Sequence, residues 1–101
     1  MYGMMYKTGL TRQAEKDAGK LEQAGLKPKA IVLLRIIRKN PFQNPPPYEK
    51  LLGYESTYSR KINIQHRLVY QVLPNENEER DGNGELYQGI VKVIRMWTHY
   101  E

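Results

Sequence analysis

A chain of 101 residues holds one compact domain, 1–101, and leaves no length for a second core. It has no cysteine and only two histidines, His66 and His99, which excludes disulfides and cysteine-ligated metal and argues against any structural metal or cofactor. The formal charge is +5, from 16 Lys and Arg against 11 Asp and Glu, and no apolar run approaches the ~18–20 residues of a membrane span.

In chain order, Met4-Met5-Tyr6-Lys7 predicts a short first strand. Leu10, Ala14, Ala18 and Leu21 then recur at helical spacing, with Thr8 or Thr11 as the cap and Gly25 where a helix ends. Pro28 suits the first turn of a second helix. Ala30, Ile31, Leu33, Leu34, Ile36 and Ile37 give that helix a wide apolar face, and Asn40-Pro41 stops it.

Pro45-Pro46-Pro47 predicts an extended polyproline segment leading to Tyr48 and Glu49. A strand over 58–64 places Tyr58, Arg60, Ile62 and Ile64 on one face, a second covers 67–73, and a third 90–97. The order β-α-α-β-β-β, with both helices on one face of a small antiparallel sheet, is an α+β fold.

Charge is unevenly distributed. Glu76, Glu78, Glu79, Asp81 and Glu85 lie between Pro74 and Gly89, where Arg80 is the one base, so segment 74–89 reads as a mobile acidic insertion. The rest of the chain carries 15 bases and six acids. A small body so basic attracts polyanions, of which phosphate backbones are the commonest. Without an apolar leader at its start, the chain is expected to be soluble and cytoplasmic.

Several blocks carry a more specific signal. Asn40-Pro41-Phe42, the proline-flanked Glu49 with Leu51 and Gly53, Ser59-Arg60-Lys61-Ile62, His66-Arg67-Leu68-Val69-Tyr70 and the late His99-Tyr100 occur in that order. Together they resemble the YoeB/Txe branch of the RelE superfamily of toxins, over roughly residues 40–101. Glu101 after His-Tyr, Lys61 in place of arginine and the long acidic insertion depart from that pattern.

The resemblance implies an endoribonuclease, the mRNA interferase of a type II toxin–antitoxin pair, that cuts messages on the ribosome without metal or cofactor. It also implies a cognate antitoxin and, in some relatives, a homodimer; no membrane is involved. Metal-free cleavage needs a base for the ribose 2′-hydroxyl, an acid for the departing oxygen and a fixed cation on the phosphoryl oxygens. Glu49 is the candidate base, with Glu55 as the alternative carboxylate. Arg67 is the candidate phosphate clamp, since its planar fork holds two oxygens at once. His99 is the candidate acid, because imidazole titrates near neutrality. Tyr100 is expected to stack on a base or bond a phosphate.

Lys50, Arg60 and Lys61 are expected to add RNA contacts, whereas His66, Tyr70 and Trp97 are expected to be structural. Two rival readings are a catalytically idle nucleic-acid-binding module on the same fold, and a plain interaction protein using the acidic loop.

Overall fold

Thr11 ends one element and begins the next. Its backbone is extended and its hydroxyl accepts from the Ala14 amide at 3.1 Å, so it caps the first helix, and the strand before it must stop at Leu10. In the computed structural model, which describes residues 5–97, the first strand β1 is therefore Lys7–Leu10, three residues later than the apolar run suggested. Helices α1 (Arg12–Gln23) and α2 (Lys27–Lys39) follow. Strands β2 (Glu49–Lys50), β3 (Thr57–Lys61), β4 (Arg67–Leu73) and β5 (Ile90–Arg95) complete the domain.

The α1–α2 link closes on Gly25, whose φ of 75° is a conformation that side chains disfavour. It lets the Leu26 amide reach back to the Leu21 carbonyl at 2.9 Å, the wrap that seals a helix end. Ala14, Asp17 and Leu21 on α1, and Ala30, Leu33 and Ile37 on α2, are buried at spacings of three and four. All of these but Asp17 meet Ile62, Leu68, Tyr70, Val91, Val93 and Met96 in one core.

The sheet runs β1-β5-β4-β3-β2. β5 pairs parallel with β1, and the other neighbours are antiparallel. The α+β reading and the order of the longer elements agree with this; β2, with only two residues, is an addition to it. The parallel β1–β5 pair also makes the sheet mixed at one edge.

The acidic segment between β4 and β5 is tied down rather than loose. The Asn75 side chain accepts from the Glu79 amide and donates to the Glu79 and Tyr87 carbonyls, while Asp81 accepts from the Asn83 and Glu85 amides. Lys7 pairs with Glu79. Amide-rich and acidic side chains that bond their own backbone fold a polar loop that hydrophobic patterning leaves blank. The segment leaves β4 at Leu73, the opposite end from Arg67 and about 20 Å away at strand rise, so its charge does not cancel the basic end of the sheet.

Gly89 closes this loop onto β5 in tight space. A Cβ there would lie 2.8 Å from a Tyr6 ring carbon and 3.0 Å from the Leu73 carbonyl oxygen. Gly89→Ala is therefore expected to cost about 1–3 kcal/mol by overpacking. Thermal denaturation should show the melting point down by roughly 5–15 °C; an unchanged melt would mean the loop yields freely.

Candidate active site

Register decides which residues share the face of the sheet turned away from the helices. Glu49 on β2 lies opposite Ser59 on β3, Ser59 lies opposite Val69 on β4, and Lys61 lies opposite Arg67. Side chains alternate along a strand, so Leu68 and Tyr70 face the helices while Arg67 and Val69 face away. By the same alternation Glu49, Ser59 and Lys61 join the outward set, and Tyr58 and Arg60 turn inward.

The structure thus brings together Glu49 and Arg67, which stand 18 positions apart in sequence. A Glu49 carboxylate oxygen (Oε2) lies 3.8 Å from Arg67 Nη1. The Glu49 side chain is 68% exposed and that of Arg67 26%, so the carboxylate is open to an incoming group while the guanidinium is partly held. At this distance the pair is a Coulombic contact rather than a hydrogen bond. Lys61, opposite Arg67, is exposed on the same face, whereas Lys50, opposite the inward Tyr58, is exposed on the other side of the edge strand β2. The alternative carboxylate, Glu55, precedes Thr57, which is opposite Gln71, four residues along β4 from Arg67. Strand rise makes that about 13 Å, so Glu55 does not join the pair.

Arg60 corrects the sequence reading. It was expected on phosphate, but it is 1% exposed and its guanidinium is fully engaged. Nη2 donates to the Pro41 and Gln43 carbonyls at 3.0 and 2.8 Å, Nη1 to the Pro46 carbonyl at 2.5 Å, and Nε to the Tyr70 hydroxyl at 3.2 Å. Tyr48 lies with its ring centroid 5.1 Å from the guanidinium carbon. Tyr70 in turn donates to the Pro41 carbonyl at 2.7 Å. Burial pushes the Tyr70 phenol above its ordinary value despite Arg60, which keeps it a proton donor. The 41–48 segment is accordingly a bend wrapped round one cation, not a straight polyproline rod. The alternation Tyr58-Arg60-Ile62 had already placed Arg60 on the apolar face, and its charge misdirected the assignment.

The end of β5 is anchored from two sides. The register shifts by one residue there, with Tyr70 opposite Val93 but Val69 opposite Arg95. Beyond the shift, the buried Asp17 of α1 accepts from Arg95 Nε at 2.9 Å and from the Met96 amide at 3.0 Å. Gln13 donates to its other oxygen at 3.0 Å. The Trp97 ring stacks on His66, centroids 3.9 Å apart and planes 20° from parallel. His66 is 5% exposed, in keeping with the structural role expected of it, and Tyr70 is core as expected. Sequence reasoning passed over Asp17. The available signal was a carboxylate on the same helical stripe as Ala14, Ala18 and Leu21, where an acid is rarely buried unless paired.

Two buried atoms near this face, Ser59 Oγ and His66 Nδ1, have no hydrogen-bond partner among the described residues. Those residues also contain no group of three or more His, Asp or Glu side chains suited to a metal. His99 and Tyr100 lie outside the described residues.

No protein-family model matches the chain, and no curated sequence does either. Solved structures do. The YoeB/ParE toxin from Agrobacterium tumefaciens superposes with a TM-score of 0.71 at 26% identity, over 93% of this chain and 99% of that one. The YoeB dimer from Staphylococcus aureus gives 0.71 at 27% identity, over 95% and 99%. The YoeB–YefM complex from the same organism gives 0.65 at 27%, over 94% and 98%. The α+β fold, matched end to end by these proteins, places the chain in the RelE superfamily of toxins. Within that superfamily, the solved structures it resembles at 26–27% identity are of the YoeB type.

Proposed function

We propose that this protein is an RNA-cleaving toxin acting on translated messages, with Glu49 as general base, Arg67 as phosphate clamp and His99 as general acid. The observation that carries the reading is the placement of Glu49 beside Arg67 on the sheet face turned away from the helices. In the reaction, Glu49 takes the 2′-hydroxyl proton as that oxygen attacks the adjacent phosphorus. The bond from phosphorus to the 5′-oxygen breaks, leaving a 2′,3′-cyclic phosphate, and His99 gives its proton to the departing oxygen. Arg67 offers its fork to the phosphoryl oxygens as their charge grows. The RNA supplies its own nucleophile.

Lys61, opposite Arg67, would add attraction for neighbouring phosphates, and the exposed Lys50 would do so at the sheet's edge. Tyr100 beside His99 would stack on a base. Segment 74–89 remains part of the same domain, distant from this chemistry. The solved YoeB–YefM complex supports a cognate antitoxin as partner, and the solved YoeB dimer supports self-association. Among the described residues no helix is long and apolar enough to cross a membrane, and a cytoplasmic site of action belongs to the same reading.

Induced expression of wild type, Arg67→Lys and His99→Gln in a bacterial host, followed by mapping of message 5′ ends, tests this. Wild type should arrest growth and make new cuts within translated codons. Arg67→Lys keeps the charge but loses the fork, and cutting is expected to fall at least about tenfold. Equal cutting by all three proteins would remove both residues from the chemistry. Arrest with no cutting would favour the idle binding module.

A further inference from the structure

We infer that Arg60 is the positioning residue for Glu49, fixing the register of β2 on β3 so that Glu49, and not Tyr48, faces Arg67. This rests on the reading of Glu49 as the base.

β2 has only two residues, Glu49 and Lys50, paired with Ser59 and Tyr58. So short a strand cannot fix its own register, and a slip by one residue sends every side chain to the other face. Such a slip would turn Glu49 inward and Tyr48 outward, separating the carboxylate from Arg67. Something outside the ladder must hold the segment, and Arg60 is bonded to the carbonyls of Pro41, Gln43 and Pro46. It also lies against the ring of Tyr48, the residue before Glu49. Arg60 itself sits next to Ser59, the residue opposite Glu49, so the clamp and the register it sets are one position apart.

The chemistry of the cage points the same way. No carboxylate among the described residues pairs with Arg60, and its charge is met by three carbonyl dipoles and the Tyr70 hydroxyl. A buried cation without a counter-ion is a costly way to stabilise a fold. What it supplies here is a rigid fork reaching four oxygens in fixed directions, which the single ammonium of a lysine cannot reproduce. Phe42, Tyr48 and Tyr58 pack on one another, with Phe42 and Tyr58 5.1 Å apart edge to face, and Tyr48 is the ring of the three set against Arg60.

The test measures cleavage of a ribosome-bound message by wild type, Arg60→Lys, Glu49→Gln and the double variant, with melting curves for each. If Arg60 positions Glu49, a folded Arg60→Lys loses about 10- to 100-fold in kcat with KM within twofold, as expected of a misplaced base. The same substitution then has no further effect in the Glu49→Gln background, because the group it positions is already gone. A folded Arg60→Lys with wild-type kcat overturns the inference, as does a loss that multiplies fully with that of Glu49→Gln. If Arg60→Lys does not fold, Tyr70→Phe takes its place. It removes one bond to Arg60 and one to Pro41, and a severalfold kcat loss that vanishes in the Glu49→Gln background supports the positioning role. Full kcat in Tyr70→Phe counts against it. Should Glu49→Gln itself cleave at the wild-type rate, the assignment of the base fails, and this inference with it.

Discussion

Glu49→Gln is expected to slow RNA cleavage by about 10²–10⁴-fold, the usual contribution of a general base. The substitution keeps the shape of the side chain and its hydrogen-bonding oxygen but cannot take a proton at neutral pH. Stability should barely change. The Glu49 side chain is 68% exposed and its contact with Arg67 is 3.8 Å, an arrangement worth no more than about 1 kcal/mol. RNA affinity should hold or rise, since a neutral residue replaces an anion on the same face as Arg67 and Lys61. Single-turnover cleavage, filter binding and a melting curve on one preparation separate these effects. A wild-type rate would remove Glu49 from the chemistry. A rate loss accompanied by a fall of more than ~5 °C in melting point would assign it to folding instead.

Asp17 should carry the largest stability effect. Its side chain is buried and receives the Met96 amide, Arg95 Nε and the Gln13 amide. Asp17→Ala strands all three donors, at a cost of about 2–4 kcal/mol, or roughly 10–25 °C in melting temperature for a domain of this size. Asp17→Asn keeps one acceptor oxygen and should lie between Ala and wild type.

Burial pushes the Asp17 carboxyl up, but the Met96, Arg95 and Gln13 donors together outweigh it and leave the group below its ordinary value. A carboxyl depressed on folding stabilises the protein above its unfolded pKa, near 4, and that stability is lost as pH falls through the folded value. Wild type should therefore lose melting temperature steeply below about pH 4. Asp17→Asn should be less stable at pH 7 and flatter across that range. Parallel slopes in the two proteins would show that Asp17 is not the titrating group.

What the sequence disclosed follows from where side-chain type dictates backbone. Helix α2 was legible because Pro28 and Asn40-Pro41 bound it and its apolar spacing has one period. The core strands were legible because Leu68-Val69-Tyr70 and Ile90–Ile94 admit little else. β2 was invisible, since two residues have no period and its position is set by a cation 11 residues further along. The burial of Arg60 was missed for a related reason. A charge on an apolar face is interpretable only once the carbonyls that satisfy it are known, and those come from a loop with no regular pattern. Asn75 folded the acidic segment by side-chain bonds that composition does not announce. Glu49 and Arg67 stand out through the resemblance of their motifs and the chemistry their side chains suit, and only the sheet register brings them together.

That meeting bears on how the site would be armed. At rest the guanidinium already holds an anion, the protein's own carboxylate. A phosphodiester reaching Arg67 competes for the same fork, and the weak, exposed pair gives way at little cost. On the proposed reaction, the displaced carboxylate is then left beside the ribose with its counter-ion gone. Arrival of the substrate and release of the base become a single exchange of anions, so the site needs no separate trigger.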